Sequence, residues 1–239
     1  MAKEFGNLKA LFINCSIKKD KTKSHTQHLI DKAVAIMEQE GVQVEQVYPL
    51  DHTIAFGMIE DGREEGSADD WPEIQKKIMD ADILVIGTPI WLGEKSSVAT
   101  QVIERMYAYS GEYNDKGQYL YYGKAGGCLI TGNEDGMKHC ARDILFCMQH
   151  IGYMIPPQAD AGWVGEAGPG PSYGDKVEGK SSRVGFDNDF TNRNTTFLAW
   201  NLMHTARMLK DQGGLPAVGN TIKGWEHVTN AKDPNPEYR

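Results

Sequence analysis

The run Ile83-Leu84-Val85-Ile86-Gly87 limits what this 239-residue chain can fold into more than any other stretch. None of the five carries a polar side chain, and Ile and Val favour the extended backbone, so the run reads as a strand buried on both faces. Such a strand sits inside a parallel sheet, whose neighbours are joined by long crossovers that helices supply. The chain alternates accordingly. Leu8 to Ile13 reads as a first strand, and the following helix carries Ile30, Ala33, Val34 and Met37 at helical spacing before Gly41. Val42, Val44 and Val47 lead through Tyr48 and Leu50 as a second strand. After a Gly-, Glu- and Asp-rich connection, a short helix opens at Asp69-Asp70-Trp71-Pro72, with Pro just inside the cap. Val98, Val102 and Met106 mark the helix behind the central strand. Gly126 to Thr131 gives a fourth strand, and Cys140, Ile144, Cys147, Met148 and Ile151 form the core stripe of the next helix. Gly152 to Ile155 gives a fifth strand, and Leu198, Leu202, Thr205 and Leu209 turn inward on a last helix. The expected fold is α/β, a doubly wound five-stranded parallel sheet with helices on both faces.

Composition narrows the function. The net charge of -8, with no basic cluster interleaved with aromatics, excludes a nucleic-acid-binding face. No apolar run reaches the length of a membrane span, and Met-Ala-Lys-Glu-Phe lacks a signal-peptide core. Cys15, Cys128, Cys140 and Cys147 show no CxxC spacing, the pattern of reduced thiols in a cytoplasmic protein.

Right-handed crossovers bring the loops after the first, third and fourth strands to one edge, where such sheets bind ligands. The first, Cys15 to Thr26, places Ser16, Ser24, Thr26 and four lysines before a helix N-terminus, which makes either an anion cup or an ordinary capped connection. The second is Thr88-Pro89-Ile90-Trp91-Leu92-Gly93, and the third is Thr131-Gly132-Asn133-Glu134-Asp135-Gly136. His25 either touches an anion or faces solvent, and Cys15 is either a redox thiol or a small buried residue at a strand end. From Tyr107 to Tyr122 six tyrosines cluster around Gly and Asn without a legible use. The stretch Gly162 to Phe190 is either a lid bringing Trp163 or Tyr173 to the site or a tolerated insertion.

Together the three loops resemble the flavodoxin-like NAD(P)H-dependent FMN reductase family, which includes quinone reductases. The resemblance rests on Cys15-Ser16, Lys18, Ser24 and Thr26 in the first loop, on Thr88-Pro89-Ile90-Trp91 in the second, its most specific part, and on Thr131 to Gly136 in the third. It covers about residues 8 to 209, and it implies strand order 2-1-3-4-5. It also implies that Ser16, Lys18, Ser24 and Thr26 surround the FMN phosphate, and His25 in the same loop is the further candidate contact. Pro89, Ile90, Trp91, Leu92 and Gly93 would run beside the isoalloxazine, and Thr131, Gly132, Asn133, Asp135 and Gly136 would close over its other side. Cys15 stands where the family has Gly, and the compact cysteine cluster of the iron-sulfur flavoproteins is missing. The FMN-binding domain is expected over 1–212, with insertions near 107–123 and 162–190. A C-terminal extension over 213–239 is anchored by Trp225 and Val228.

The expected activity is transfer of a hydride from NAD(P)H to FMN and of electrons onward to a quinone, free flavin or similar small acceptor. No protein nucleophile or base is required, because the flavin performs the chemistry. Two other readings remain: a flavodoxin-type carrier reduced by a protein partner, and a scaffold that has lost FMN. A homodimer or homotetramer is expected.

Overall fold

A computed structural model describes residues 4–168 and 170–225. Five parallel strands are β1 (Lys9–Asn14), β2 (Gln43–Val47), β3 (Ile83–Trp91), β5 (Ala125–Gly132) and β6 (Asp160–Val164), in the order β2-β1-β3-β5-β6. Counted among themselves, they stand 2-1-3-4-5, as in flavodoxins. The two-residue β4 (Glu94–Lys95) folds back antiparallel onto the end of β3.

Alternation along the central strands sends neighbouring side chains to opposite layers. Leu11, Ile13, Leu84, Ile86 and Ile130 pack with helices α2 (Trp71–Asp80), α3 (Ser97–Tyr107) and α4 (Met137–Ile151). Ala10, Phe12, Ile83, Val85 and Leu129 pack with α1 (His25–Gln39) and α5 (Asp189–Asp211). Gly87 lets α1 approach the sheet: a Cβ there would stand 2.7 Å from Ile30 Cδ1.

Three expectations are corrected. Thr88 to Trp91 is strand rather than loop, because Leu92 and Gly93 take positive φ (51° and 78°) and turn β3 directly into β4. Gly152 to Ile155 is not the fifth strand. Gly152 ends α4, Tyr153 is buried, and Met154 makes a single bridge to Ala125. Pro156 and Pro157 follow and have no N–H for a ladder, so pairing starts only at Asp160, opposite Cys128. Cys147 is only partly buried, at the margin of the α4 stripe, whereas Cys140 is in the core.

The tyrosine-rich segment has a structural use. Tyr121 is buried, stacks on Tyr153 with centroids 5.4 Å apart and donates to the Met106 carbonyl. Gln118 donates to Asn220 Oδ1 (3.1 Å) and the Pro216 carbonyl (3.2 Å), pinning the chain beyond α5. Trp225 is exposed, and Val228, the other proposed anchor, lies outside the described residues.

Candidate functional site

The loop after β1 is shaped by Asn14, a buried residue that the sequence reading passed over. Its Oδ1 accepts from the Ser16 N–H (3.1 Å), while its Nδ2 donates to Ser24 Oγ (3.2 Å) and Gln27 Oε1 (2.8 Å). Ser24 is the N-cap of α1, accepting from the Gln27 N–H. The Tyr48 hydroxyl donates to the Lys18 carbonyl and holds the outer side of the loop. Lys18 lies across it, donating from Nζ to the Lys23 carbonyl (2.7 Å). Burial lowers the Lys18 pKa, Lys23 lowers it further, and Asp175 opposes both. Cys15 is fully buried, and burial pushes its thiol far up. A thiol held neutral in this way is no nucleophile, so Cys15 is a small core residue.

The other two loops lock onto each other. Leu92 N–H donates to Glu134 Oε1 (2.8 Å). Gly136, at φ 124°, lies so close to Gly93 that a Cβ would stand 2.4 Å from the Gly93 carbonyl oxygen. Beneath them the buried hydroxyls of Thr26 and Thr131 share a hydrogen bond of 2.9 Å, tying α1 to β5.

These loops enclose a cavity of about 380 Å³ at the carboxyl edge of the sheet, within the range usual for small-molecule sites. Ser16, Lys18, His25 and Thr26 line it from the first loop, Pro89, Ile90 and Trp91 from the end of β3, and Thr131, Gly132, Asn133 and Glu134 from the end of β5 and the loop after it. Five predicted residues stand back from it. Ser24 is buried in its capping role, Gly93 and Gly136 form the contact between loops, and Leu92 and Asp135 are exposed to solvent. Asp135 does not cap α4 either, since that N-cap is Gly136.

The remaining wall comes from Ala167, Gly168, Gly170, Ser172 and Tyr173, between β6 and α5, in the Gly- and Pro-rich stretch read as lid or insertion. Asn133 Nδ2 donates to the Pro171 carbonyl (3.0 Å), and Ser172 donates to Asn133 Oδ1 (2.8 Å). His25 Nδ1 donates to the Tyr173 carbonyl (2.9 Å), fixing the ring's tautomer. Tyr173 is buried against Trp163 and Phe186, and its hydroxyl has no hydrogen-bond partner among the described residues. The hydroxyl has almost no exposed surface, so Tyr173 is a packing residue of the wall rather than a polar contact of the cavity. The lining therefore combines hydroxyl-bearing residues and Lys18 with the apolar Pro89, Ile90 and Trp91, residue types that suit a phosphate ester carrying a planar ring.

The sequence matches the family model for NADPH-dependent FMN reductase over residues 8–165. It is 53% identical over 229 residues to a divalent metal cation transporter, MntH, of Mycobacterium bovis. The match takes in 91% of this chain, which spans only 33% of that relative. It is also 39% identical to 8-demethyl-8-aminoriboflavin-5'-phosphate synthase of Streptomyces davaonensis, over 85% of this chain and 79% of that one. Among solved structures, RosB with bound 8-demethyl-8-formylriboflavin-5'-phosphate superposes with a TM-score of 0.81 at 36% identity, covering 95% of this chain and 88% of that one. No helix among the described residues is long and apolar enough to cross a membrane.

Proposed function

The chain belongs to the NADPH-dependent FMN reductase family, and we propose that it is an FMN-dependent oxidoreductase drawing a hydride from NAD(P)H and passing electrons to a small acceptor such as a quinone or free flavin. FMN, when bound, supplies the hydride and electron chemistry. The chain's own residues hold and tune it. Ser16, Lys18 and Thr26 meet the phosphate, with Ser24 and Asn14 keeping the loop in shape. Pro89 to Trp91 and Thr131 to Asn133 flank the ring, while Leu92, Gly93, Asp135 and Gly136 set the spacing of those two loops. The observation that carries this reading is the cavity joining all three loops, lined by Ser16, Lys18, Thr26 and Thr131 together with the apolar Pro89, Ile90 and Trp91. Trp91, half exposed at its edge, leaves an approach for a flat nicotinamide.

The two flavin-phosphate relatives support a second reading, in which the flavin phosphate held here is a substrate that is itself modified. One experiment separates these. The visible spectrum of the purified chain, loaded with FMN, is recorded without oxygen before and after NADPH or NADH. Bands that bleach within seconds support the reductase. Bands that persist support a carrier reduced by a protein partner, and a changed flavin mass after turnover supports the modifying enzyme. Failure to take up FMN at all overturns the site assignment.

A further inference from the structure

A second pocket, of about 340 Å³, opens on the far side of Lys18 and His25, two side chains that also line the cavity. Lys18, Lys23, His25, His28, Lys176 and Arg183 line it, and Asp175 is the one carboxylate among its lining residues. That balance runs against the molecule, whose 33 acidic residues outnumber its 25 lysines and arginines. Gathering like charges in one place costs stability unless an anion joins them. The carboxylate is already engaged: Asp175 accepts from the Ser172 N–H (2.7 Å) and faces His25 at 3.6 Å. Arg183 is held in place by donating to the Gly174 carbonyl (2.7 Å), so its charge is positioned rather than swinging free. The His28 pKa is lowered by burial and then by Arg183, with Asp31 and Asp175 opposing, so the fixed positive charge of the pocket is that of its lysines and Arg183.

We infer that this pocket is a second-phosphate subsite, sharing Lys18 and His25 with the flavin cavity, for the diphosphate or the additional phosphate of a dinucleotide. The inference rests on the flavin reading in one respect: it places the first phosphate at Ser16 and Lys18. Two sources carry the chemistry, the phosphates of NADPH and the diphosphate of FAD, and both present anionic oxygens that Arg183 and Lys176 can meet.

Inorganic pyrophosphate is the probe, titrated calorimetrically into the full chain with and without FMN. The comparison is with Lys176→Gln/Arg183→Gln and with the charge-keeping Lys176→Arg/Arg183→Lys. Pyrophosphate should bind the wild type, bind the Gln variant about tenfold or more weakly, and recover with the charge-keeping pair. FMN affinity should change by less than about twofold, each tenfold step being about 1.4 kcal/mol. If the reductant supplies the phosphate, the KM for NADPH rises in the Gln variant while that for NADH stays put. If the flavin supplies it, the wild type prefers FAD to FMN and the variant loses the preference. Should the Arg183 change unfold the protein, the exposed Lys176→Gln alone carries the test. No pyrophosphate binding by the wild type overturns the proposal, as does an equal loss for pyrophosphate and FMN. A chain that takes no FMN but binds pyrophosphate in this residue-dependent way defeats the flavin reading and leaves the pocket standing.

Discussion

Two long connections leave carboxyl ends of the sheet, residues 51–70 from β2 to α2 and residues 165–188 from β6 to α5, and they are fastened in opposite ways. In the first, Asp69 is buried and accepts from the N–H groups of Ala55 (3.1 Å), Gly62 (2.8 Å) and Trp71 (3.2 Å). It also pairs with the buried Arg105 at 2.7 Å. Arg105 donates to the Ala55 and Glu60 carbonyls and lies over the Trp71 ring. In the second, Tyr173 is buried against Trp163 and Phe186, and the stretch over the cavity is otherwise tied by neutral bonds, Asn133 to Pro171, Ser172 to Asn133 and His25 to Tyr173. Such neutral bonds contribute about 0.5–1.5 kcal/mol each. A buried charge network cannot open without stranding a charge, whereas a few neutral bonds can break and reform. The first connection is thus a fixed part of the scaffold. The second holds Tyr173 in the core but fastens the stretch before it, beside the cavity, without a buried charge, so that stretch should open at lower cost.

The comparison breaks most decisively at Asp69. Asp69→Ala leaves Arg105 buried without its partner and should cost about 3–5 kcal/mol in urea unfolding. FMN affinity of the molecules that remain folded should be unchanged, because no residue of 51–70 lines the cavity. A cost below about 1 kcal/mol would show that the network does not fasten the connection. Acid sharpens the point. Burial on its own would raise the Asp69 carboxyl, but the bond from Arg105 and the three N–H groups hold it down at about 2. Its unfolded value is near 3.9, so its contribution is complete above about pH 4 and lost as pH falls through the folded value. Asp69→Asn should remove that part of the acid-unfolding slope.

Asn133→Ala should show the reverse pattern. It cuts the bonds to Pro171 and Ser172 on the cavity side. Stability should fall by about 1–2 kcal/mol, and FMN should leave about tenfold faster in a stopped-flow chase. Equal release rates in the two proteins would mean that residues 166–172 do not gate the cavity.

How much of this was legible beforehand follows from where the signals lie. The central strands are legible because Ala10 to Ile13 and Ile83 to Ile86 are apolar on both faces, and the site edge because Gly, Ser, Thr and Pro stand at the strand ends. The fifth strand was misplaced because Tyr153 to Ile155 is the apolar stretch, whereas the strand that pairs reads Asp160-Ala161-Gly162-Trp163-Val164. Its small residues pack closely against β5 and leave almost no periodic signal. Asn14 was invisible for another reason: one Asn at a strand end says nothing until its partners, ten and thirteen residues on, are placed beside it. Arg105 lies between Val102 and Met106 on α3 and reads as a surface charge until Asp69 is found against it. The wall over the cavity sat in a stretch recognised as a lid or a tolerated insertion, but nothing local said which of its residues face inward.

The smallest expected effect separates two explanations of the Asn133 result. Asn133 lines the cavity and also tethers the wall, so its loss weakens ligand contact and tether together. Ser172→Ala removes the bond from the Ser172 hydroxyl to Asn133 Oδ1, together with any contact that this hydroxyl, also on the lining, makes to a ligand, and leaves the Asn133 side chain and its bond to Pro171. Because Ser172 is partly exposed, water can satisfy the freed oxygen, and stability should fall by no more than about 0.5–1 kcal/mol. If the wall gates the cavity, FMN release should still quicken about two- to fivefold while association quickens in step, since a looser wall opens both ways and leaves the equilibrium constant nearly as it was. If Asn133 acts by touching the ligand, neither rate changes in Ser172→Ala, and the contrast between the two connections reduces to stability alone.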